Sequence, residues 1–207
     1  MNRTFTSIAG ISGVLFFVSA TILGGLQLEN YSHVSQLISE SYASGTPWGP
    51  VLRFAGFLPA GFLLALFAFS SKNLLRGSRV VHLGLIAVGI FYGLGTAVVS
   101  LFPCDAGCNP EMINPSISQL IHNLSGMLTY LVVPPALAIT GFGLLKQPEH
   151  RIPAQAAIAG GILSFLLVMA LPAAMAAGYG GLVQRLAEGG ILMWFLITAR
   201  HIFNAQN

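Results

Sequence analysis

The chain has 207 residues, of which 55% are hydrophobic and only 7% are charged, and its mean hydropathy is +0.78. Soluble domains carry about a quarter charged residues and expose much of their surface to water, so this composition excludes a soluble globular protein. The formal net charge of +3 is scattered along the chain and provides no basic face for nucleic acid.

Six apolar stretches are each long enough to cross a bilayer as an α-helix, which needs about 20 residues. They lack the period-two alternation of barrel strands, so we predict an all-α integral membrane protein with six transmembrane helices in one bundle. A single domain is expected over residues 1–207. The stretches are Ser7–Leu26, Leu52–Ser71, Val80–Phe102, Leu120–Leu145, Ala154–Ala176 and Leu182–Phe203.

The distribution of Lys and Arg predicts the orientation, because cytoplasmic loops carry an excess of these residues. With both termini in the cytoplasm, only Arg53 and Arg185 fall on the outer side. The long loops Gln27–Val51 and Pro103–Gln119 then face outside, and the protein is expected in the cytoplasmic (inner) membrane. The cytoplasmic side receives Arg3, Lys72, Arg76, Arg79, Lys146, Arg151 and Arg200.

The first outer loop contains the sequence NYSHVSQLISESY, which predicts a short amphipathic helix. Val34, Leu37, Ile38 and Ser41 recur at helical spacing, while polar side chains occupy the other faces. Ser32 is a candidate N-cap. We expect this helix to lie at the outer membrane surface with its apolar stripe against the bundle.

The second outer loop contains both cysteines of the chain, in the motif FPCDAGC. Cys104 and Cys108 are four residues apart and can reach the Cα separation of a disulfide, which the oxidising side of the membrane favours. Free thiols are the second alternative. Zinc bound by these cysteines with Asp105 and His122 is the third, although the spacing is not that of usual zinc motifs. Thiol redox catalysis ranks last, and no cofactor or metal is predicted.

Ionisable residues collect at the outer ends of the spans, and ionisable groups at membrane depth mark a functional site by default. Asp105 follows the third span, His122 opens the fourth, and Arg185 opens the sixth. We therefore expect these three side chains to meet near the outer surface. The same end is predicted to hold Glu40, Arg53 and Glu188.

Four motifs occur in order along the chain: SQLISE after the first span, LFPCD after the third, IHNLSG opening the fourth and GLVQRL opening the sixth. They resemble those of a family of prokaryotic six-span membrane proteins called domain of unknown function 998. The resemblance implies the fold and a site, but no reaction, and the two cysteines are not part of the family pattern. The matching positions are Ser35, Ser39, Glu40, Pro103, Asp105, His122, Gly126, Gln184 and Arg185.

Three functions are compatible with these residues. The first is binding or transport of a lipid headgroup or small amphiphile in an outward-facing polar pocket, where Arg185 would grip a phosphate or carboxylate. The expected partners are thus membrane lipid and an amphiphilic ligand. The predicted ligand-binding residues are Ser35, Ser39, Glu40, Asp105, His122, Gln184 and Arg185.

The second function is an intramembrane hydrolase, with His122 as the catalytic base, oriented by Asp105. Ser39, Ser125 or a metal-bound water would supply the nucleophile. The third is a structural scaffold, in which the polar cluster only ties helix ends together. The sequence does not decide whether the protein is an enzyme.

Overall fold

The computed structural model of the chain describes residues 2–75 and 77–205, and this part contains helices and no β-strand. Six helices are long and apolar enough to cross a membrane, which confirms the predicted all-α architecture. The orientation stays a prediction, and Arg76, which contributed to it, lies outside the described residues. The helices are α1 (Arg3–Leu26), α2 (Gly49–Leu74), α3 (Arg79–Leu101), α4 (Ile117–Leu144), α5 (Pro148–Ala176) and α6 (Gly180–Asn204).

The six helices form a ring in chain order, because each packs against its neighbours in the sequence and α1 packs against α6. Aromatic side chains fill the centre of the ring. Phe67 of α2 lies against Trp194 and Phe195 of α6, at ring-centroid distances of 6.2 and 5.4 Å. The outward faces of the helices are equally apolar, as a lipid solvent requires.

Glycines allow α2 and α3 to approach each other closely. A Cβ atom at Gly93 would lie 2.5 Å from the backbone nitrogen of Ala65. A Cβ atom at Gly61 would lie 2.7 Å from the nitrogen of Ala97 and from the carbonyl oxygen of Gly93. Any larger residue would have to displace backbone, so the separation of these two helices depends on the glycines.

α2 and α3 also each contain a π-helical segment, at Leu52–Phe57 and Val88–Leu94. Such segments are rare, and they occur frequently at functional sites. Phe57 and Tyr92 lie in the two segments, and both side chains are buried in the interior of the bundle. The irregular turns therefore contribute two of the aromatic residues that surround the site described below.

The two long loops, residues 27–48 and 102–116, lie at one end of the bundle, which we call the long-loop end. In the first loop the structure has a short 3₁₀ helix, Ile38–Tyr42, in place of the predicted amphipathic helix. The backbone N–H of Ile38 donates to the side chain of Gln184, and that of Leu37 donates to the carboxylate of Glu40. Side chains therefore accept hydrogen bonds from backbone N–H groups that would donate to backbone carbonyls in a longer helix.

The second loop is closed by a disulfide bond between Cys104 and Cys108, whose Cα atoms are 4.8 Å apart. It is joined to the first loop, because the backbone N–H of Ser44 donates to the carbonyl of Cys104 at 2.9 Å. Bonded to each other, the two sulfurs are not thiolate ligands for zinc. Within residues 2–75 and 77–205, no three His, Cys, Asp or Glu side chains are grouped as metal ligands would be.

We expect Gly93→Leu to destabilise the protein by about 1–3 kcal/mol, because the new side chain would push α2 away from α3. The matched control is Gly189→Leu, since a Cβ atom at Gly189 meets no atom within 4 Å. Thermal unfolding in detergent, followed by circular dichroism, measures both variants. Equal stability of the two variants would show that the close approach of α2 and α3 is not required.

Candidate functional site

Two cavities adjoin at the long-loop end. The inner cavity has a volume of about 250 Å³ and lies between the helices and the first loop. The outer cavity has a volume of about 370 Å³ and lies between the two long loops and the beginning of α4. They share one wall, whose residues line both: Leu37, Ser39, His122 and Asn123.

A buried carboxylate lies on the wall of the inner cavity. The Glu188 side chain is 7% exposed, and its two oxygens accept hydrogen bonds from the hydroxyls of Tyr92 at 2.6 Å and Tyr130 at 2.7 Å. No cation in the described part of the chain forms an ion pair with it. The carboxylate is therefore held by two neutral donors and faces an open volume.

A directional chain of hydrogen bonds connects this carboxylate to the first loop. The N–H of Ile38 donates to Oε1 of Gln184 at 2.8 Å, and Nε2 of Gln184 donates to the hydroxyl of Tyr130 at 2.9 Å. That hydroxyl in turn donates to Glu188. Since a backbone N–H can only donate, the orientation of the Gln184 amide is fixed, and the donor direction runs from loop to carboxylate.

Aromatic rings form another wall of the inner cavity. The ring of Phe57 lies 5.3 Å from that of Phe17 and 4.6 Å from that of Tyr42, measured between centroids. Phe17 also stacks on Tyr92 at 6.3 Å. These rings line the same cavity as Glu188, so aromatic rings and a carboxylate border one volume.

His122 lies in the shared wall, where it is 9% exposed. Its Nδ1 atom is 3.0 Å from the carbonyl oxygen of Phe102. Because a carbonyl only accepts, we assign the proton of the neutral imidazole to Nδ1, which leaves the lone pair on Nε2. His122 is thus held by backbone and not by a carboxylate.

The disulfide loop forms part of the outer cavity. The hydroxyl oxygen of Ser39 is 3.4 Å from Sγ of Cys108, and since a disulfide sulfur carries no hydrogen, the hydroxyl is the donor. Glu40, on the opposite side, accepts hydrogen bonds from the N–H of Leu37 at 2.7 Å and from the amide of Gln36 at 3.2 Å. The carboxylate of Glu40 lines the outer cavity.

Exposed lining residues show where the cavities open. Asn123 and Met127 of α4 line the inner cavity, and both are exposed. Met175 of α5 lines the outer cavity and is 44% exposed. Exposed residues of α4 and α5 therefore border the cavities, on the surface where lipid would lie.

Arg185 does not take the expected role of holding a ligand. Its Nη1 atom donates to the carbonyls of His33 and Gln36 at 2.8 Å and of Gly181 at 3.0 Å, while Nη2 donates to the hydroxyl of Tyr31 at 2.7 Å. Burial raises the pKa of Tyr31, and the Arg185 charge only partly opposes this, so the hydroxyl stays protonated. The guanidinium clamps the first loop onto α6 and does not line either cavity.

Asp105 also lies away from the expected cluster. Its Oδ2 atom accepts from the N–H of Ser116 at 3.0 Å, and its own N–H donates to Gln119 at 2.7 Å. Hydrogen bonds from the Ser116 side chain and backbone lower the pKa of Asp105. Its carboxylate therefore supports the beginning of α4, where the helix dipole favours a negative charge.

The predicted meeting of Asp105, His122 and Arg185 is therefore corrected, since each side chain has other partners. Ser35 also lies outside both cavities, where its carbonyl accepts from the N–H of Gly181 at 3.2 Å. The other predicted ligand-binding residues do line the cavities: Ser39, Glu40, His122 and Gln184.

The sequence interpretation missed the residues around the buried carboxylate. It placed Glu188 at the membrane interface, whereas the structure places it inside the bundle with Tyr92 and Tyr130. A signal was present in the sequence, because each tyrosine falls within an apolar span. A phenolic hydroxyl in hydrocarbon needs a partner, so two such tyrosines indicate an interior polar group.

We expect Arg185→Lys to loosen the first loop, because the single ammonium nitrogen of lysine cannot replace two guanidinium nitrogens that donate to four acceptors. The protein should lose about 1–3 kcal/mol of stability, and the amides of Gln36, Gly181 and Leu182 should exchange faster with deuterium. Arg53→Lys is the matched control, since within residues 2–75 and 77–205 the Arg53 side chain donates to one carbonyl, that of Gly49. Unchanged amide exchange in Arg185→Lys would contradict the clamp.

A family model described as "Protein of unknown function (DUF998)" matches residues 11–201, which extend from α1 into α6. The comparisons found no matching curated protein and no matching solved structure. The family match covers both long loops and all residues that line the two cavities. The chain therefore belongs to the DUF998 family of proteins of unknown function.

Proposed function

We propose that this protein binds a small amphiphile at its long-loop end, with the inner cavity as the binding site and the outer cavity as the entrance. The observation that carries this proposal is the pair of adjoining cavities that share the wall with Ser39 and His122. Ligand sites in proteins typically enclose roughly 300–1,000 Å³ and combine apolar walls with a few polar groups. The two cavities together reach that range.

The composition of the inner wall supports an amphiphile. Apolar side chains from several helices, including Phe17, Val99 and Leu171, surround most of the volume. Polar side chains lie on the wall shared with the outer cavity and around Glu188, and the hydroxyls of Thr96 and Thr129 are bonded to backbone carbonyls. A ligand with an apolar chain and one polar head matches this division, because each part then meets surface of its own kind.

The exposed lining residues of α4 and α5 support a ligand that comes from the bilayer. Met127 lines the inner cavity and is 52% exposed on a membrane-spanning helix, so the cavity borders the lipid-facing surface there. A molecule dissolved in the membrane can enter there without passing through water. Binding and transport share this route, and the proposal concerns the binding step common to both.

The hydrolase alternative lacks its orienting carboxylate. A serine–histidine–aspartate site needs an acid on the imidazole nitrogen that does not face the nucleophile. In this protein the carbonyl of Phe102 lies at Nδ1 of His122, and Asp105 bonds the beginning of α4. Ser39 and His122 line the same cavities, but this arrangement favours binding over hydrolysis.

The cavity can be filled by one substitution. Gly126 lines the inner cavity, and a Cβ atom there would meet no atom within 4 Å. We expect Gly126→Leu to remove a molecule that copurifies with the wild-type protein, because the side chain would occupy its space. Native mass spectrometry of protein extracted from membranes in mild detergent detects that molecule.

Gly189→Leu is the control, since it adds the same side chain at an open position on α6. It should retain the copurifying molecule, and circular dichroism should show that both variants are folded. Wild-type protein without any bound molecule, or equal occupancy in Gly126→Leu, would contradict the proposed site.

A further inference from the structure

We infer that the inner cavity binds the ammonium headgroup of a cationic amphiphile, with Glu188 as its counter-charge. This inference rests on the proposed function and specifies the chemistry of the ligand. It follows from three observations: the sign of the charges that line the cavities, the unpaired buried carboxylate, and the aromatic wall beside it.

The charges along the path are acidic. Glu40 lines the outer cavity and Glu188 the inner one, and no Lys or Arg among the described residues lines either. Arg185, the nearest candidate for binding an anion, has both of its terminal nitrogens engaged by the first loop and α6. An anionic headgroup would meet only like charge, whereas a cation would meet opposite charge in both the outer and the inner cavity.

Glu188 has unused capacity to accept hydrogen bonds. A carboxylate offers about four lone-pair positions, and the tyrosine hydroxyls occupy one on each oxygen. A buried charge without a counter-ion is costly, and a bound cation removes that cost. The carboxylate borders the cavity, so an ammonium group there can reach the remaining lone pairs.

The aromatic wall provides the second half of a cation site. The rings of Phe17, Tyr42 and Phe57 form a continuous series along the same cavity. The negative face of an aromatic ring attracts a cation, and the attraction increases when the site is shielded from water. Aromatic rings and a carboxylate that line one cavity are thus suited to an organic ammonium group with apolar substituents.

The test uses three probes with the same ten-carbon chain: decylammonium, decanol and decanoate. Binding to the purified protein in maltoside micelles at neutral pH is measured by titration calorimetry. We expect decylammonium to bind the wild type about tenfold or more tighter than either other probe. Glu188→Gln should abolish this preference while still binding decanol.

Two further variants keep the test interpretable. Glu149→Gln removes the same charge from an exposed position in the first turn of α5, and it should keep the wild-type preference for decylammonium. Tyr42→Leu removes one aromatic ring but leaves Glu188 and its partners in place. It should weaken the binding of decylammonium more than the binding of decanol. It therefore tests the inference even if Glu188→Gln fails to fold, which circular dichroism and the unfolding temperature would reveal.

The outcomes separate this inference from the proposed function. Equal binding of all three probes, blocked by Gly126→Leu, would uphold the amphiphile site and overturn its preference for cations. Tighter binding of decanoate would also overturn that preference. If no probe binds above the micelle background, or if Gly126→Leu leaves binding unchanged, the proposed site and this inference both fail.

Discussion

In a hydrocarbon solvent every polar group must find a partner inside the protein, and the long-loop end is organised by this constraint. The first amides of α6 would otherwise lack acceptors, as at any helix N-terminus. Here the N–H groups of Gly181 and Leu182 donate to the carbonyls of Ser35 and Val34 in the first loop. The loop thus caps α6, and Arg185 binds further carbonyls of the same segment.

The same constraint links the loop to the cavity. Gln184 follows the cap by one turn, and its amide joins Ile38 of the loop to Tyr130, which holds Glu188. Hydrogen bonds in such chains polarise one another, so a change at one end affects the other. A cation bound at Glu188 would change the strength of this carboxylate as an acceptor, and the chain through Tyr130 and Gln184 connects that change to the docked first loop.

Much of the fold follows from the sequence, because hydropathy and length alone define spans that must be helical in lipid. Positions near the span ends were also readable, because His122 opens the fourth span and Gln184 the sixth, while Ser39 and Glu40 belong to a loop motif that resembles the family's. Direction was not readable. Arg185 and Glu188 are three residues apart, yet the long guanidinium reaches back to the loop while the short carboxylate points to the tyrosines. Such choices depend on tertiary neighbours, as does the 3₁₀ turn that replaced the predicted loop helix.

The buried carboxylate also bears on whether the site is merely structural. Replacing a buried polar cluster by apolar side chains of similar volume is often neutral or stabilising, so rigidity alone does not require a carboxylate there. Glu188 lies beside an open volume and not within close-packed side chains. A scaffold would gain stability from filling that volume, whereas a binding site must keep it open and keep the charge accessible. The arrangement around Glu188 therefore supports the proposed binding site, because the fold alone does not require it.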